Sequence, residues 1–123
     1  MGTEITASGL HLGTEDRGRY TIVTVGGEID HHTVPGLRDL LLALSRQGRH
    51  HLVIDLEAVD FLDSSGLGVL VGALKRSRAG DGSYHVVCTR ERLLAMFRIT
   101  GLDRAIAICE SIDQALADQG PSL

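Results

Sequence analysis

The alternation of hydrophobic and polar residues near the start of the chain predicts two strands. A β-branched and aromatic run at 20–25 is typical of a strand, and a weakly alternating segment at 5–12 predicts another strand before it. The polar segment between them, residues 15–18, ends in a glycine that can adopt a positive φ. These strands are therefore expected to form a hairpin, with Gly26 and Gly27 ending the second strand.

The first helix is predicted to begin after Thr33, which is a suitable N-cap. Pro35 fits the first turn, where its missing N–H has no cost, and Gly48 is a typical helix end. Between them, leucines recur at the i, i+3, i+4 and i+7 spacing of one helical face: Leu37, Leu40, Leu41 and Leu44.

Strands and helices are predicted to alternate in the rest of the chain. Short apolar runs predict strands at 51–56, 84–88 and 104–109. Helical spacing of apolar residues predicts helices at 67–78 and 90–100. Ser111 starts a last helix, because Gln114 three residues later completes a capping box.

The predicted order is β-β-α-β-α-β-α-β-α. Strands that alternate with helices imply an α/β fold with a single-layer, mixed, mostly parallel sheet of about five strands, and four α-helices. The length of 123 residues fits a single domain spanning 1–123. Residues 118–123 are expected to form a mobile tail.

Composition excludes several functions without naming one. Aromatic residues make up only 3% of the chain, which argues against a deep aromatic-lined ligand pocket. The net charge of −4 argues against nucleic-acid binding. The sequence shows neither an apolar run long enough to span a membrane nor a secretory signal, so we expect a cytoplasmic protein without a membrane partner.

Motifs for catalysis, metal binding and nucleotide binding are weak. The glycines at 66, 68 and 72 are spaced one residue too widely for a dinucleotide fingerprint, and no P-loop run occurs. The histidines show no i, i+4 pair, so no metal site is predicted. No acid–base pair has an evident task, and the protein is expected not to be an enzyme. Cys88 and Cys109 leave a redox-responsive variant open.

The segment Asp63, Ser64, Ser65, Gly66 lies where a loop enters a predicted helix. A helix needs only one such residue as its N-cap. A serine at this position also tolerates phosphate, because the helix dipole and the unpaired N–H groups favour negative charge. A phosphate there would leave the fold intact and weaken whatever docks over the helix start. The residues alone leave both a plain cap and a phosphorylation switch open.

Long stretches around this segment resemble the anti-sigma factor antagonists, which are bacterial STAS-domain proteins of the sporulation and general-stress type. The resemblance is carried by residues 27–33 (GEIDHHT), 52–56 (LVIDL) and 59–70 (VDFLDSSGLGVL), and continues through 86–88 and 94–102.

The resemblance implies partner switching in transcription regulation. In this family the unphosphorylated antagonist binds a kinase-type anti-sigma factor and thereby frees a sigma factor. The kinase uses ATP to phosphorylate the antagonist, and a PP2C-type serine phosphatase reverses the modification, so the antagonist itself needs no cofactor. The family's acceptor falls on Ser65, with Ser64 as a minor alternative.

The resemblance also implies a partner-binding surface at the start of the second helix. Its expected members are Glu28, Asp30, Asp63, Ser64, Gly66, Leu67 and Gly68. Loops at 26–33 and 57–66 both follow strands of a parallel pair, so we expect them to emerge at one sheet edge and to bring Asp30 close to Ser65. The acidic side chains suit a basic or metal-nucleotide-bearing partner. A nucleotide- or anion-sensing STAS module, with its pocket at this edge, remains the alternative.

Overall fold

A computed structural model gives the structure of residues 2–7 and 9–118. The described residues form six strands, four α-helices and one short 3-10 turn. In chain order these are β1 (Gly2–Ala7), β2 (Leu10–Arg17), β3 (Tyr20–Ile29), α1 (Val34–Arg46), β4 (Leu52–Leu62), α2 (Ser64–Ala79), β5 (Tyr84–Val87), α3 (Glu91–Ile99), the 3-10 turn (Leu102–Arg104), β6 (Ala107–Cys109) and α4 (Ile112–Ala117).

The strands form one sheet in the order β1-β2-β3-β4-β5-β6. The β1–β2 and β2–β3 pairs are antiparallel, whereas the β3–β4, β4–β5 and β5–β6 pairs are parallel. This confirms the predicted α/β class with its mixed, mostly parallel sheet. The sheet gains a strand because the segment predicted as one strand at 5–12 turns back on itself: Ala7 pairs with Leu10, and Gly9 has a φ of 81°.

The polar segment at 15–18 is strand for most of its length, which corrects the prediction of a turn there. β2 continues to Arg17, which pairs with Tyr20, and Gly18 takes the turn with a φ of 61°. Glu15 and Arg17 are exposed, and Arg17 Nε lies 2.7 Å from Glu15 Oε2. Charged side chains are tolerated in this strand because they reach solvent.

β3 does not end at its two glycines, which corrects a second prediction. The strand runs on to Ile29, with register shifts against β4 on either side of the glycine pair. Gly27 has a φ of 92°, and a Cβ at this residue would overlap the carbonyl oxygen of Gly9. The glycines therefore let two backbones approach closely, and the longer strand carries Ile29 to a position opposite Leu62 at the sheet edge.

Helices cover the two faces of the sheet unequally. α1, α2 and α3 contribute Leu37, Leu70 and Phe97 to the main core, which also contains alternate residues of the central strands. A smaller cluster on the opposite face brings α4 against Ile22, Val53, Val87 and Cys109. Successive strand residues point to opposite faces, which explains why neighbouring residues belong to different clusters.

The end signals read from the sequence fall close to the observed helix ends. Gly48 follows α1 with a φ of 77°. The side chain of Ser111 accepts a hydrogen bond from Gln114 N at 3.0 Å, as predicted. The predicted strand at 104–109 is shorter, because the 3-10 turn occupies its first residue.

Asp118, the first residue of the predicted tail, has a defined contact. His85 Nε2 lies 2.9 Å from Asp118 Oδ2, and His85 is buried on a strand covered by α4. The remainder of the predicted tail, residues 119–123, lies outside the described residues.

Candidate functional site

The starts of α1 and α2 emerge at the same edge of the sheet, as predicted. β3 and β4 are parallel neighbours, Ile29 pairs with Leu62, and Asp63 N donates to Ile29 O at 3.2 Å. β4 continues to Leu62, so most of the predicted loop at 57–66 is strand, and a single residue, Asp63, joins β4 to α2. The short connection holds the start of α2 close to the sheet.

Asp63 organises the first turn of α2 through one carboxylate oxygen. Its Oδ1 accepts hydrogen bonds from Ser65 N at 2.9 Å and from Gly66 N at 3.2 Å, which makes Asp63 the N-cap. The same oxygen accepts a hydrogen bond from Ser65 Oγ at 2.5 Å. The hydroxyl and backbone donors lower the pKa of Asp63, and nearby His31 lowers it further. The carboxylate is therefore ionised at neutral pH and orients the Ser65 hydroxyl.

Asp30 organises the loop before α1. Its Oδ1 accepts hydrogen bonds from Thr33 N at 3.0 Å and from His32 N at 2.9 Å. The backbone donor of Thr33 is the main cause of the lowered pKa of Asp30. Thr33 Oγ1 donates to Glu28 O at 2.7 Å and accepts from Asp30 N at 3.0 Å. Hydrogen bonds among the loop's own polar groups therefore hold its conformation, while His32 remains exposed.

The structure divides the predicted phosphorylation and partner-binding residues into three groups by exposure. Glu28, Ser64 and Gly68 are exposed, and Asp30, Asp63 and Ser65 are half-buried at the edge. Gly66 and Leu67 are buried, so their side of α2 faces the protein itself.

Gly66 and Leu67 have structural roles at the helix start. A Cβ at Gly66 would lie 2.7 Å from Ile29 Cγ2 and closer still to Leu62 Cδ1. Leu67 is 8% exposed and belongs to the main core. These two residues therefore pack between the site and the core, and the exposed residues form the outward surface of the site.

A groove between α1 and α2 lies next to Ser65 and was not anticipated from the sequence. It has a volume of about 400 Å³ and is lined by Arg38, Leu42, Ser65, Gly68, Val69, Gly72 and Arg76. The sequence contains one signal for it, because small residues at 68 and 72 repeat at helical spacing on the side of Ser65. The arginine of α1 could not be placed beside them without knowing how the helices pack.

Phe61 is a second feature that sequence reasoning missed. Phe61 is a large apolar residue that is nevertheless 45% exposed, and it lies near the end of β4, two residues before the N-cap of α2. An exposed phenyl ring next to a polar site is typical of a contact residue in a protein interface.

A larger cavity, about 890 Å³, lies on the sheet face opposite α1 and α2. It is lined by residues of β2, β3 and β4, including His11, Thr24, Gly26, Ala58 and Asp60. Within the described part of the chain, its lining includes neither arginine nor lysine and contains two carboxylates. A lining with carboxylates and without arginine or lysine among the described residues does not favour a phosphate-bearing ligand. The nucleotide-sensing alternative requires such a ligand.

The two thiols point to opposite faces of the sheet. Cys88 belongs to the main core and Cys109 to the smaller cluster, although Cys88 N donates to Cys109 O at 3.0 Å. Both cysteines are free and buried, and burial raises the pKa of each thiol. Side chains on opposite faces cannot form a disulfide without backbone rearrangement, which does not favour the redox variant.

The described residues contain neither a metal-binding cluster nor a membrane-spanning helix. No three His, Cys, Asp or Glu side chains in this part of the chain are placed to hold a metal ion. Among the same residues, no helix has the length and apolar character needed to cross a membrane.

The fold and site define a small α/β domain that presents a serine on a capped helix at one sheet edge. The family model described as "STAS domain" matches residues 11–115. The chain therefore belongs to the STAS domain family.

Several similar proteins are named for one regulatory role. The anti-sigma-B factor antagonist of Staphylococcus aureus is 33% identical over 104 residues, covering 85% of this chain and 96% of that protein. The Staphylococcus epidermidis protein of the same name is 34% identical over the same length.

Solved structures have the same fold. An anti-sigma factor antagonist from Mycobacterium paratuberculosis is 31% identical, with a TM-score of 0.79 and coverage of 94% of this chain and 92% of that one. The Bacillus cell fate determinant SpoIIAA in its phosphorylated form is 23% identical, with a TM-score of 0.70 and coverage of 85% and 96%, and shows the shared fold alone.

Proposed function

We propose that this protein is an anti-sigma factor antagonist controlled by phosphorylation of Ser65. The observation that carries the proposal is the oriented Ser65 hydroxyl, which donates to Asp63 at the start of α2 and lies at the edge shared with the Asp30 loop. Support comes from the similarity to proteins named anti-sigma-B factor antagonist.

The unphosphorylated protein binds a kinase-type anti-sigma factor through this edge. Phe61, Ser64, Gly68 and Glu28 offer exposed contact groups, and the capped helix start holds them in one arrangement. A preorganised surface loses little conformational entropy on binding. Engaging the anti-sigma factor frees the sigma factor, so the protein acts in the bacterial cytoplasm by binding and catalyses nothing itself.

Phosphorylation by the partner ends the interaction. The Ser65 Oγ atom attacks the γ-phosphorus of ATP held by the kinase, and a new O–P bond forms. The bond between the γ-phosphorus and the bridging oxygen breaks, ADP leaves, and a base of the kinase takes the hydroxyl proton. The antagonist supplies the acceptor oxygen and needs no cofactor of its own.

The added phosphate changes charge where the partner docks. Phosphoserine carries about −1.5 to −2 charges at neutral pH. Burying an uncompensated charge in an interface is costly, and about 2.7 kcal/mol is enough to weaken binding a hundredfold. A PP2C-type serine phosphatase restores the binding form by hydrolysing the phosphate ester.

The direct experiment is phosphorylation in vitro with ATP and each kinase-type anti-sigma factor encoded in the same genome, followed by site mapping with mass spectrometry. We expect phosphate on Ser65 in the wild-type protein and in Ser64→Ala, and none on that residue in Ser65→Ala. Ser65→Ala should bind the kinase with wild-type affinity, whereas Ser65→Asp should bind at least ten times more weakly. Equal labelling of Ser65→Ala and wild type would falsify the site.

A further inference from the structure

The groove between α1 and α2 has Ser65 at one end and an arginine from the other helix beside it. Ser65, Val69, Gly72 and Arg76 line its α2 side at helical spacing, and Arg38 lines its α1 side. The volume of about 400 Å³ is several times that of a phosphate group.

Arg38 and Gly68 occupy corresponding positions of α1 and α2, and both line the groove. Each is the fifth residue of its helix, and the helices start at the same sheet edge after parallel strands. Gly68 is three residues beyond Ser65, which is about 4.5 Å along the axis. A Cβ at Gly68 would meet no atom within 4 Å, so the groove beside this residue has room for another group.

The Arg38 guanidinium is exposed and has neither a hydrogen bond nor an ion pair within residues 2–7 and 9–118. By contrast, Arg17, Arg49, Arg90 and Arg98 each contact a carboxylate. Arg38 can therefore engage an anion without breaking an existing contact.

Asp63 supplies a second reason for a phosphate on Ser65 to turn toward the groove. The hydrogen bond from Ser65 Oγ to Asp63 depends on the hydroxyl hydrogen, which the phosphate ester lacks. The ionised carboxylate then repels the phosphate instead of accepting a hydrogen bond from the serine. Repulsion by Asp63 and attraction by the Arg38 guanidinium both favour a phosphate that points into the groove.

We infer that Arg38 binds the phosphate of phosphorylated Ser65 across the groove between α1 and α2. The inference rests on the proposed phosphorylation of Ser65. Arginine suits this role because its planar guanidinium donates two parallel hydrogen bonds to phosphate oxygens.

The contact changes the shape of the surface as well as its charge. A phosphate between Arg38 and Ser65 covers Gly68 and closes the end of the groove at Ser65. A partner that docks over both helix starts then meets a filled groove in the phosphorylated protein and an open groove in the unphosphorylated one.

The experiment places phosphoserine at position 65 by genetic encoding, so no kinase is needed. Titration of the phosphate is followed by ³¹P NMR in the otherwise wild-type protein and in Arg38→Gln. We expect the second phosphate pKa to be lower with Arg38 present, by about 0.5–1 unit, because the guanidinium favours the dianion while solvent screens it.

Arg76→Gln is the matched control. Arg76 lines the same groove, but its Cα lies about 16 Å along α2 from that of Ser65 and its guanidinium lies beside Gly72, so its removal should change the titration less than removal of Arg38 does. Unmodified Arg38→Gln should keep the wild-type melting temperature, because the side chain is exposed and unpaired.

Equal phosphate titrations in wild type and Arg38→Gln would overturn the inference, as would equal shifts in Arg38→Gln and Arg76→Gln. Because the phosphoserine is installed directly, failure here leaves the proposed kinase reaction standing. Failure of the kinase assay likewise leaves the contact between Arg38 and an installed phosphate to be judged by its own result.

Discussion

The two helix starts at the sheet edge use similar residues in different ways. α1 and α2 both follow parallel strands, and each is preceded by an aspartate whose pKa is lowered by hydrogen-bond donors. Asp63 is itself the N-cap of α2 and binds the N–H groups of its first turn. The N-cap of α1 is Thr33, whose side chain makes no capping hydrogen bond to the described residues.

The two helix starts therefore have different roles in the site. At α2 the cap and the serine hydroxyl share one carboxylate oxygen, so the helix start and Ser65 are held together. At α1 the hydroxyl of Thr33 bonds back to Glu28, and Asp30 closes the turn between them. The α2 start thus positions a reactive group, while the α1 start positions the neighbouring contact loop.

Substituting the third residue of each helix, Gly66 in α2 and Gly36 in α1, should give the largest difference in stability. Gly66→Ala places a Cβ against Ile29 and Leu62 in the core and should lower the free energy of unfolding by about 1–3 kcal/mol, or the Tm by roughly 5–15 °C. Gly36→Ala meets only Leu10 Cδ2 at 3.7 Å and should leave the Tm unchanged or raise it. Thermal unfolding followed by circular dichroism measures both. Equal effects would contradict the close packing of the α2 start.

Removing the cap should have the next largest effect. Asp63→Ala deletes three hydrogen bonds at the start of α2 and should lower the Tm by about 4 °C. Asp63→Asn is the matched control, because asparagine caps helices nearly as well and should recover most of the loss. If alanine and asparagine behave alike, the carboxylate oxygen is not acting as the cap.

The hydroxyl of Thr33 should contribute less. Thr33→Val keeps the β-branched shape but removes the bond to Glu28 O, and we expect a loss of about 0.5–1.5 kcal/mol in urea unfolding. Ser64→Ala removes an exposed hydroxyl that has no hydrogen-bond partner among the described residues, and should change stability by less than about 0.5 kcal/mol. A loss in Ser64→Ala as large as in Thr33→Val would be unexpected.

The contribution of the Asp63 carboxylate to the pH dependence of stability should be the smallest of these effects. Because folding lowers the pKa of Asp63, the unfolded chain binds more protons in the window between the folded value and the ordinary value of about 3.9. The stabilisation is complete above that ordinary value and is lost as pH falls through the folded pKa. Tm measurements from pH 7 to pH 3 should therefore show a smaller acid-side decrease in Asp63→Asn than in wild type. An identical decrease would mean that this carboxylate does not contribute.

Much of the fold could be predicted because its signals are local. The leucine spacing of α1 and the Ser111 cap depend on residues within two helical turns of each other. The course of β3 through Gly26 and Gly27 could not be read in this way. Those glycines look like a strand end in the sequence, but they allow a close approach to Gly9, which lies far away in the chain.

The candidate site was predicted in outline and corrected in detail. Topology placed the loops before α1 and α2 at one edge, which the pairing of Ile29 with Leu62 confirms. The orientation of Gly66 and Leu67 into the core depends on how α2 packs on the sheet, and helical spacing alone did not decide it.

By itself, the sequence determined the alternation of strands and helices after the first hairpin, a helix cap within residues 63–65 and the resemblance to the STAS family, since periodicity, capping and motifs are properties of neighbouring residues. Only the tertiary structure decided which residues of the motif face outward, that Cys88 and Cys109 lie on opposite faces, and that Arg38 stands beside Ser65. These features depend on packing between elements distant in the chain, which a local pattern does not encode.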